Sequence, residues 1–238
     1  MEFFGIKVVY LSENLKIRKM KVLSFLLVAF LLPLSTVFAQ LSEAHIVYDI
    51  KMESSEPEVE AQLAMLGGSK LEIMFKDTWA RQSFSMGSMM SSTTITNSET
   101  GEALILIDGM MGKFASKTTS EDISEEESDD IEVELLDETK EILGYTCKKA
   151  ILIDEEGNES IFWYTDQIMK PQTDGRYFKG SIPGMPLEFS VVTPQLTMTM
   201  KASEFNKKVK KSKDMFTTEI PEGFQERNID ELQNTFGG

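Results

Sequence analysis

Residues 196–203 read LTMTMKAS. Leu196, Met198, Met200 and Ala202 alternate with Thr197, Thr199, Lys201 and Ser203. A period of two, one set apolar and the other polar, marks a strand of an antiparallel sheet with one face in water. The same alternation recurs upstream. Ile46, Tyr48, Ile50 and Met52 oppose Val47, Asp49 and Lys51, and Leu71, Ile73 and Phe75 repeat it. Residues 103–107, ALILI, are apolar on both faces and read as a central strand, as do residues 161–164, IFWY. Asp154-Glu155-Glu156-Gly157-Asn158 joins two strand-like runs as a hairpin loop.

Helical signals are few. Ser55-Glu56-Pro57-Glu58 offers a capping box with Pro in the first turn, and Val59, Leu63 and Leu66 then share a face before Gly67-Gly68. A second short helix is expected from Asn228 to Phe236, with Ile229, Leu232 and Phe236 on one side. The expected class is mainly β (α+β): a large antiparallel sheet with one helix early and another at the end. Such a sheet must bury one face by curling or by packing on helices. Residues 119–130, TSEDISEEESDD, read as an acidic, solvated linker inside a single β-rich domain. Their spacing is not that of an EF-hand loop.

Ahead of this domain stands a different kind of segment. Residues 22–34, VLSFLLVAFLLPL, carry no charge, and Lys16, Arg18, Lys19 and Lys21 precede them. Val37-Phe38-Ala39 supplies the small residues of a cleavage site. These are the three parts of a secretory signal peptide, with cleavage expected after Ala39. An uncleaved membrane anchor is the alternative, and Pro33 with the small residues favours the signal. Met20 could start a compact signal of its own, leaving residues 1–19 as an unused upstream start. The expected location is therefore periplasmic or secreted.

Removing residues 1–39 takes away five basic and two acidic residues and leaves a net charge of −18 on 199 residues. An acidic chain lacks the basic footprint of a nucleic-acid binder. One Cys and one His exclude disulfide frameworks and Cys/His zinc sites within the chain. Only His45 could serve as the base of a Ser or Cys nucleophile, and no phosphate loop or HExxH motif is present. Cys147, beside Lys148 and Lys149, reads as an inert strand residue, the alternative being a thiol activated by its lysines. No catalytic residue and no cofactor are assigned, and the chain is expected not to be an enzyme. The basic run Lys207, Lys208, Lys210, Lys211 and Lys213 reads as a solvated hairpin, with contact to anionic headgroups or an acidic partner as the alternative.

Methionine is the unusual count, 15 in the chain. Met86, Met89 and Met90 form MGSMM, and Met110 and Met111 form GMMG. Thioether side chains pack in cores, adapt to irregular apolar ligands, and ligate soft Cu(I). All three readings stay open on the sequence, and the flanking glycines place these residues in loops.

Three stretches carry a resemblance: residues 138–149, ETKEILGYTCKK; Phe162-Trp163-Tyr164-Thr165; and residues 182–189, IPGMPLEF. They resemble an exported family of unknown function from Gram-negative bacteria, similar to GLPGLI-type secreted proteins. The likeness extends more distantly to the periplasmic lipoprotein carriers LolA and LolB. It implies a half-open β-barrel, a curved antiparallel sheet with one or two short helices over its mouth. By analogy with the carriers, it implies a cavity for a lipid or acyl chain. The candidate ligand-binding residues are Trp79, Phe84, Met86, Met89, Met90, Met110, Met111, Phe114, Trp163 and Met185. The alternatives are a Met-based Cu(I) protein and a structural envelope protein without a ligand. No protein partner is identified, and the cleaved chain is not expected to be integral to a membrane.

Overall fold

The computed structural model describes residues 40–63, 67–124, 132–154, 157–171, 182–193, 195–210 and 212–236. They fall in one compact unit, Ala39–Gly238. The expected signal segment, residues 1–39, lies outside the described residues, as do residues 125–130 of the acidic stretch, Leu66, Glu155, Glu156 and Lys211.

The alternating segments become strands of one twelve-stranded sheet. In chain order they are β1 (Glu43–Glu53), β2 (Lys70–Lys76), β3 (Trp79–Met86), β4 (Met90–Asn97), β5 (Glu102–Gly109) and β6 (Gly112–Thr119). The second half supplies β7 (Glu132–Ile142), β8 (Tyr145–Ile153), β9 (Glu159–Thr165), β10 (Met185–Val192), β11 (Thr197–Asn206) and β12 (Gln225–Glu226). Their order is β12-β6-β5-β4-β3-β2-β1-β11-β10-β9-β8-β7. Strands that follow one another in sequence pair antiparallel as far as β6, and again from β7 to β11. The β1–β11 ladder then joins the two halves, and β12 adds a two-residue parallel pairing to β6. The result is an open, curved sheet of the half-open barrel kind.

The main core lies on the inner face. Ile46 and Tyr48 of β1, Leu71 and Ile73 of β2, Met200 and Ala202 of β11, and Phe162 of β9 are buried there. A smaller cluster, Ile95, Leu104, Leu106 and Ala115, lies on the other face of β4–β6, with Trp79, Ile220 and Phe224 against it. Ala103 and Ile107 are buried as well, on the side of β5 away from Leu104 and Leu106, which is why β5 is apolar on both faces. Residues 161–164 behave differently from expectation. Phe162 and Tyr164 are buried, but Ile161 is exposed and Trp163 only half-buried. Among the described residues no second apolar cluster covers that part of the outer face; the ammonium groups of Lys140 and Lys149 lie over the Trp163 ring instead.

Two bulges adjust the faces. At Val47/Tyr48 the register with β11 slips by one, so Ile46 opposes Phe205 while Tyr48 opposes Ala202. The extra residue keeps Phe205 on the inner face, where strict alternation from Ala202 would turn it out. In β10 the slip lies between Pro186 and Glu188, and Met185, Pro186 and Leu187 are all buried. A bulge is where a strand tolerates a proline.

The helices number four among the described residues, all short, against the one or two expected: α1 (Pro57–Leu63), α2 (Ser120–Ser124), α3 (Ser212–Met215) and α4 (Ile229–Phe236). The start of α1 is not held by the expected box. Instead the Ser54 N–H donates to Glu60 at 2.8 Å, and Ser54 Oγ donates to the Gln195 carbonyl. Short α2 opens the acidic stretch because Thr119 caps it: the Asp122 carboxylate accepts from the Thr119 N–H, and the Asp122 N–H donates to Thr119 Oγ1. At α4 the Asn228 side chain accepts from the Glu231 N–H at 2.7 Å, and Leu232 is buried. The basic run is not a hairpin between strands. It leaves β11 and leads towards α3, with Lys207, Lys208, Lys210 and Lys213 exposed.

Candidate functional site

Register brings the two methionine motifs together. Met86 ends β3 opposite Met90, Met90 opposes Gly109, and Gly109 opposes Gly112. The β3–β4 and β5–β6 turns are therefore neighbours at one end of the sheet. The Met90 side chain lies over Gly109, where a Cβ would sit 3.4 Å from Met90 Cγ. Gly112 has φ 125°, a backbone that favours glycine, and a Cβ there would meet the Phe114 ring at 3.3 Å. Met86 and Met90 are half-buried, while Met89, Met110 and Met111 are 47%, 86% and 63% exposed.

The same end of the sheet also gathers Ile50, Met52 and Met198, which no sequence motif marks. Phe84 opposes Leu71, and Leu71 opposes Tyr48, so Phe84, Met86 and Met90 share the inner face with Ile50 and Met52. Met52 opposes Met198, and Met198 opposes Val191. Met52 and Met198 are half-buried. Their signal was present in the alternation of their strands but not in any cluster along the sequence. Helix α1 follows β1 from this end, with Val59 and Leu63 half-buried.

The candidate residues therefore divide. Phe84, Met86, Met89, Met90, Met110, Met111 and Phe114 belong to this end or lead into it. Phe114 opposes Ile107, and the Arg227 guanidinium lies 5.9 Å from its ring centre. Trp79 stands at the opposite end of β3, on the outer face, stacked on Phe216 at 6.3 Å. Trp163 lies on the outer face beside the Lys140–Glu188 ion pair, with Lys140 Nζ 4.9 Å and Lys149 Nζ 5.9 Å from its ring centre. Met185 is wholly buried in the main core. Packing already accounts for these three.

The nucleophile candidates are also accounted for. Cys147 is fully buried in the main core, and burial pushes its thiol up to about 11 against the pull of Lys140. A thiol in that setting is inert, as the sequence suggested. His45 Nε2 lies 3.6 Å from the Glu72 carboxylate on the outer face. Among the described residues no group of three His, Cys, Asp or Glu side chains could hold a metal ion. None of their helices is long and apolar enough to cross a membrane.

Fold and site together define a β-rich domain with a methionine-lined sheet end. Residues 108–232 match the family described as N-glycanase peptide, N-terminal domain, and the chain belongs to that family. A comparison with curated proteins finds no match. Among solved structures the chain is similar to PNGF-II in a P21 crystal form, at 15% identity and a TM-score of 0.49, over 84% of this chain and 33% of that one. It thus spans about a third of that protein's length. An uncharacterised conserved protein from Thermus thermophilus is similar at 9% identity and a TM-score of 0.46, over 79% of this chain and 91% of the other. A LolA-superfamily protein from Nitrosomonas europaea matches at 10% identity and a TM-score of 0.24, over 74% and 91%.

Proposed function

We propose that this chain is an exported binding domain whose methionine-lined sheet end holds an apolar molecule such as a lipid or acyl chain. One observation carries the reading. Met52, Met86, Met90 and Met198 share one end of the inner face, and Met89, Met110 and Met111 stand exposed beside them. Unbranched, polarizable side chains suit an apolar ligand of irregular shape. The exposed members have no packing role to explain them. No catalytic role is proposed: the Cys147 thiol is buried, and His45 faces a carboxylate. The family description names an N-glycanase, and this reading takes no enzymatic role from it. Export rests on residues 16–39 and predicts a mature N-terminus at Gln40, read by N-terminal sequencing of the secreted or periplasmic fraction.

The test is binding of a fluorescent fatty acid. A Met86→Asp, Met110→Asp double variant loses the probe, and the corresponding Leu variant keeps it. Failure of the wild type to bind, or equal binding by the Asp variant, sinks the reading.

A second reading has its own support. The Met86–Met90 cross-strand pair abuts the turn that carries Met110 and Met111, and clustered thioethers ligate Cu(I). Titration with Cu(I) against a competing chelator decides it. Uptake no greater than that of a variant with Met86, Met89, Met90, Met110 and Met111 all replaced by Leu removes it.

A further inference from the structure

A cavity of about 460 Å³ opens at the other end of the sheet, lined by Leu143, Gly144, Tyr145, Gln167, Phe205 and Lys207. Its distance from the methionine end follows from register. Phe205 opposes Ile46 and Met198 opposes Met52, six residues further along β1, or roughly 20 Å at the rise of a strand. Each wall has a local cause. Leu143 and Gly144 form the tight β7–β8 turn, with φ of 50° and 82°, the left-handed pair that a two-residue hairpin requires. The β1–β11 bulge turns Phe205 inward, where it meets Tyr145 edge-on at 5.0 Å. Gln167 is fixed by its backbone: its N–H donates to Thr165 Oγ1, and its carbonyl accepts from the Leu41 N–H.

We propose that this cavity is a binding site for a small aromatic anion, a carboxylate or sulfonate on a compact aromatic body. Size, lining and charge point the same way. Its volume falls within the range of small-molecule sites, roughly 300–1,000 Å³, and its lining mixes polar and apolar surface. Tyr145, Phe205 and Leu143 supply apolar surface, and the Gln167 side-chain amide and the Lys207 ammonium supply the polar groups. Neither group has a hydrogen-bond or ion-pair partner among the described residues. No carboxylate among the described residues lines the cavity; the nearby Asp166 is paired with Lys148 at 3.5 Å. Lys207 also begins the exposed basic run, a cationic strip on a chain of net charge −15. Its field selects an anion and disfavours a cation.

The site is independent of the methionine end, and the experiment separates them. The full chain is titrated with 1-anilinonaphthalene-8-sulfonate and with its uncharged parent, N-phenyl-1-naphthylamine. In the Met86→Asp, Met110→Asp background, which removes the methionine end, the sulfonate saturates at one equivalent and binds at least tenfold tighter than the neutral dye. Lys207→Glu weakens it tenfold or more. Lys208→Glu, the same charge change outside the lining, leaves it within twofold. Met86→Asp with Met110→Asp leaves it unchanged. Absence of saturable binding overturns the proposal, and so does equal weakening by the two lysine variants or equal affinity for the two dyes. Loss of the sulfonate in the methionine variant also overturns it, by placing the dye at the other end.

Discussion

The Tyr48 hydroxyl donates to the Pro186 carbonyl at 2.7 Å, tying β1 to β10 across the intervening β11. Both residues are buried, and the Tyr48 ring meets Phe189 edge-on at 5.9 Å. The bond therefore holds the bulge that Pro186 occupies against the middle of the sheet.

Tyr48→Phe leaves that carbonyl without its donor in a dry core and is expected to cost about 1–3 kcal/mol. Tyr145→Phe provides the contrast, because the Tyr145 hydroxyl is buried with no partner among the described residues. Removing it is expected to be neutral or to stabilise by up to about 1 kcal/mol. Urea unfolding of both variants measures the difference. Equal destabilisation of the two would show that the bond to the Pro186 carbonyl contributes nothing beyond burial of a hydroxyl.

Gly184 precedes the same bulge. A Cβ at this position would lie 2.2 Å from the Thr165 carbonyl oxygen, a backbone atom that cannot swing aside. Gly184→Ala should therefore force β9 and β10 apart and destabilise by about 2–4 kcal/mol, near the severe end for a single change. Gly101→Ala is the comparison, since nothing lies within 4 Å of its Cβ position and the cost there is only that of φ 73°. Thermal unfolding midpoints rank the two, and a milder effect at Gly184 would count against the close approach.

Strands were legible wherever one face meets water. Leu196, Met198, Met200 and Ala202 announced β11 because their alternation is broken only by its bulge. Residues 103–107 announced β5 because Leu104 and Leu106 are buried on one of its faces and Ala103 and Ile107 on the other. Strand β7 was less legible. Its pattern is mostly exposed, as befits an edge, and the register slip between Leu136 and Thr139 breaks any period of two. The methionine motifs were visible as words, but their meeting depends on the pairing of β4 with β5. The Met52–Met198 pair depends on contact between strands nearly 150 positions apart in the chain. The cavity at Tyr145 had no sequence signal, because a bulge and a turn create it together.

Burial of Cys147 gives a pH dependence with a definite sign. Its folded-state pKa is raised to about 11, and Tyr48 is also raised well above its usual value by burial. Groups raised in this way favour the folded state at lower pH. Their contribution is complete below the unfolded-state value, near 9 for the thiol, and fades as pH climbs through the folded-state value. Stability should therefore fall between pH 9 and 11, and less steeply in Cys147→Ala. At pH 8 the native thiol is buried and protonated, so Ellman's reagent, which needs an accessible thiolate, should react with it only after urea unfolding. Rapid native labelling would contradict its burial.

Oxidation reads the methionine end directly. Thioethers react with peroxide in proportion to their access to solvent. Met110 and Met111 are 86% and 63% exposed at the β5–β6 turn, whereas Met185 and Met200 are buried in the main core. Limited hydrogen peroxide should therefore convert Met110 and Met111 first, then Met89, with Met86 and Met90 slower. Met185 and Met200 should change only when the chain unfolds. Peptide mass spectrometry gives the order. A bound apolar molecule at the proposed end would exclude water from the same sulfurs. Adding oleate should then slow oxidation of Met86, Met90, Met110 and Met111 severalfold while leaving Met169, remote from that end, unchanged. Protection spread evenly over all methionines would mean that the lipid acts on the solution or on overall stability. Selective protection at the sheet end, removed by Met86→Asp with Met110→Asp, would tie the exposed thioethers to binding.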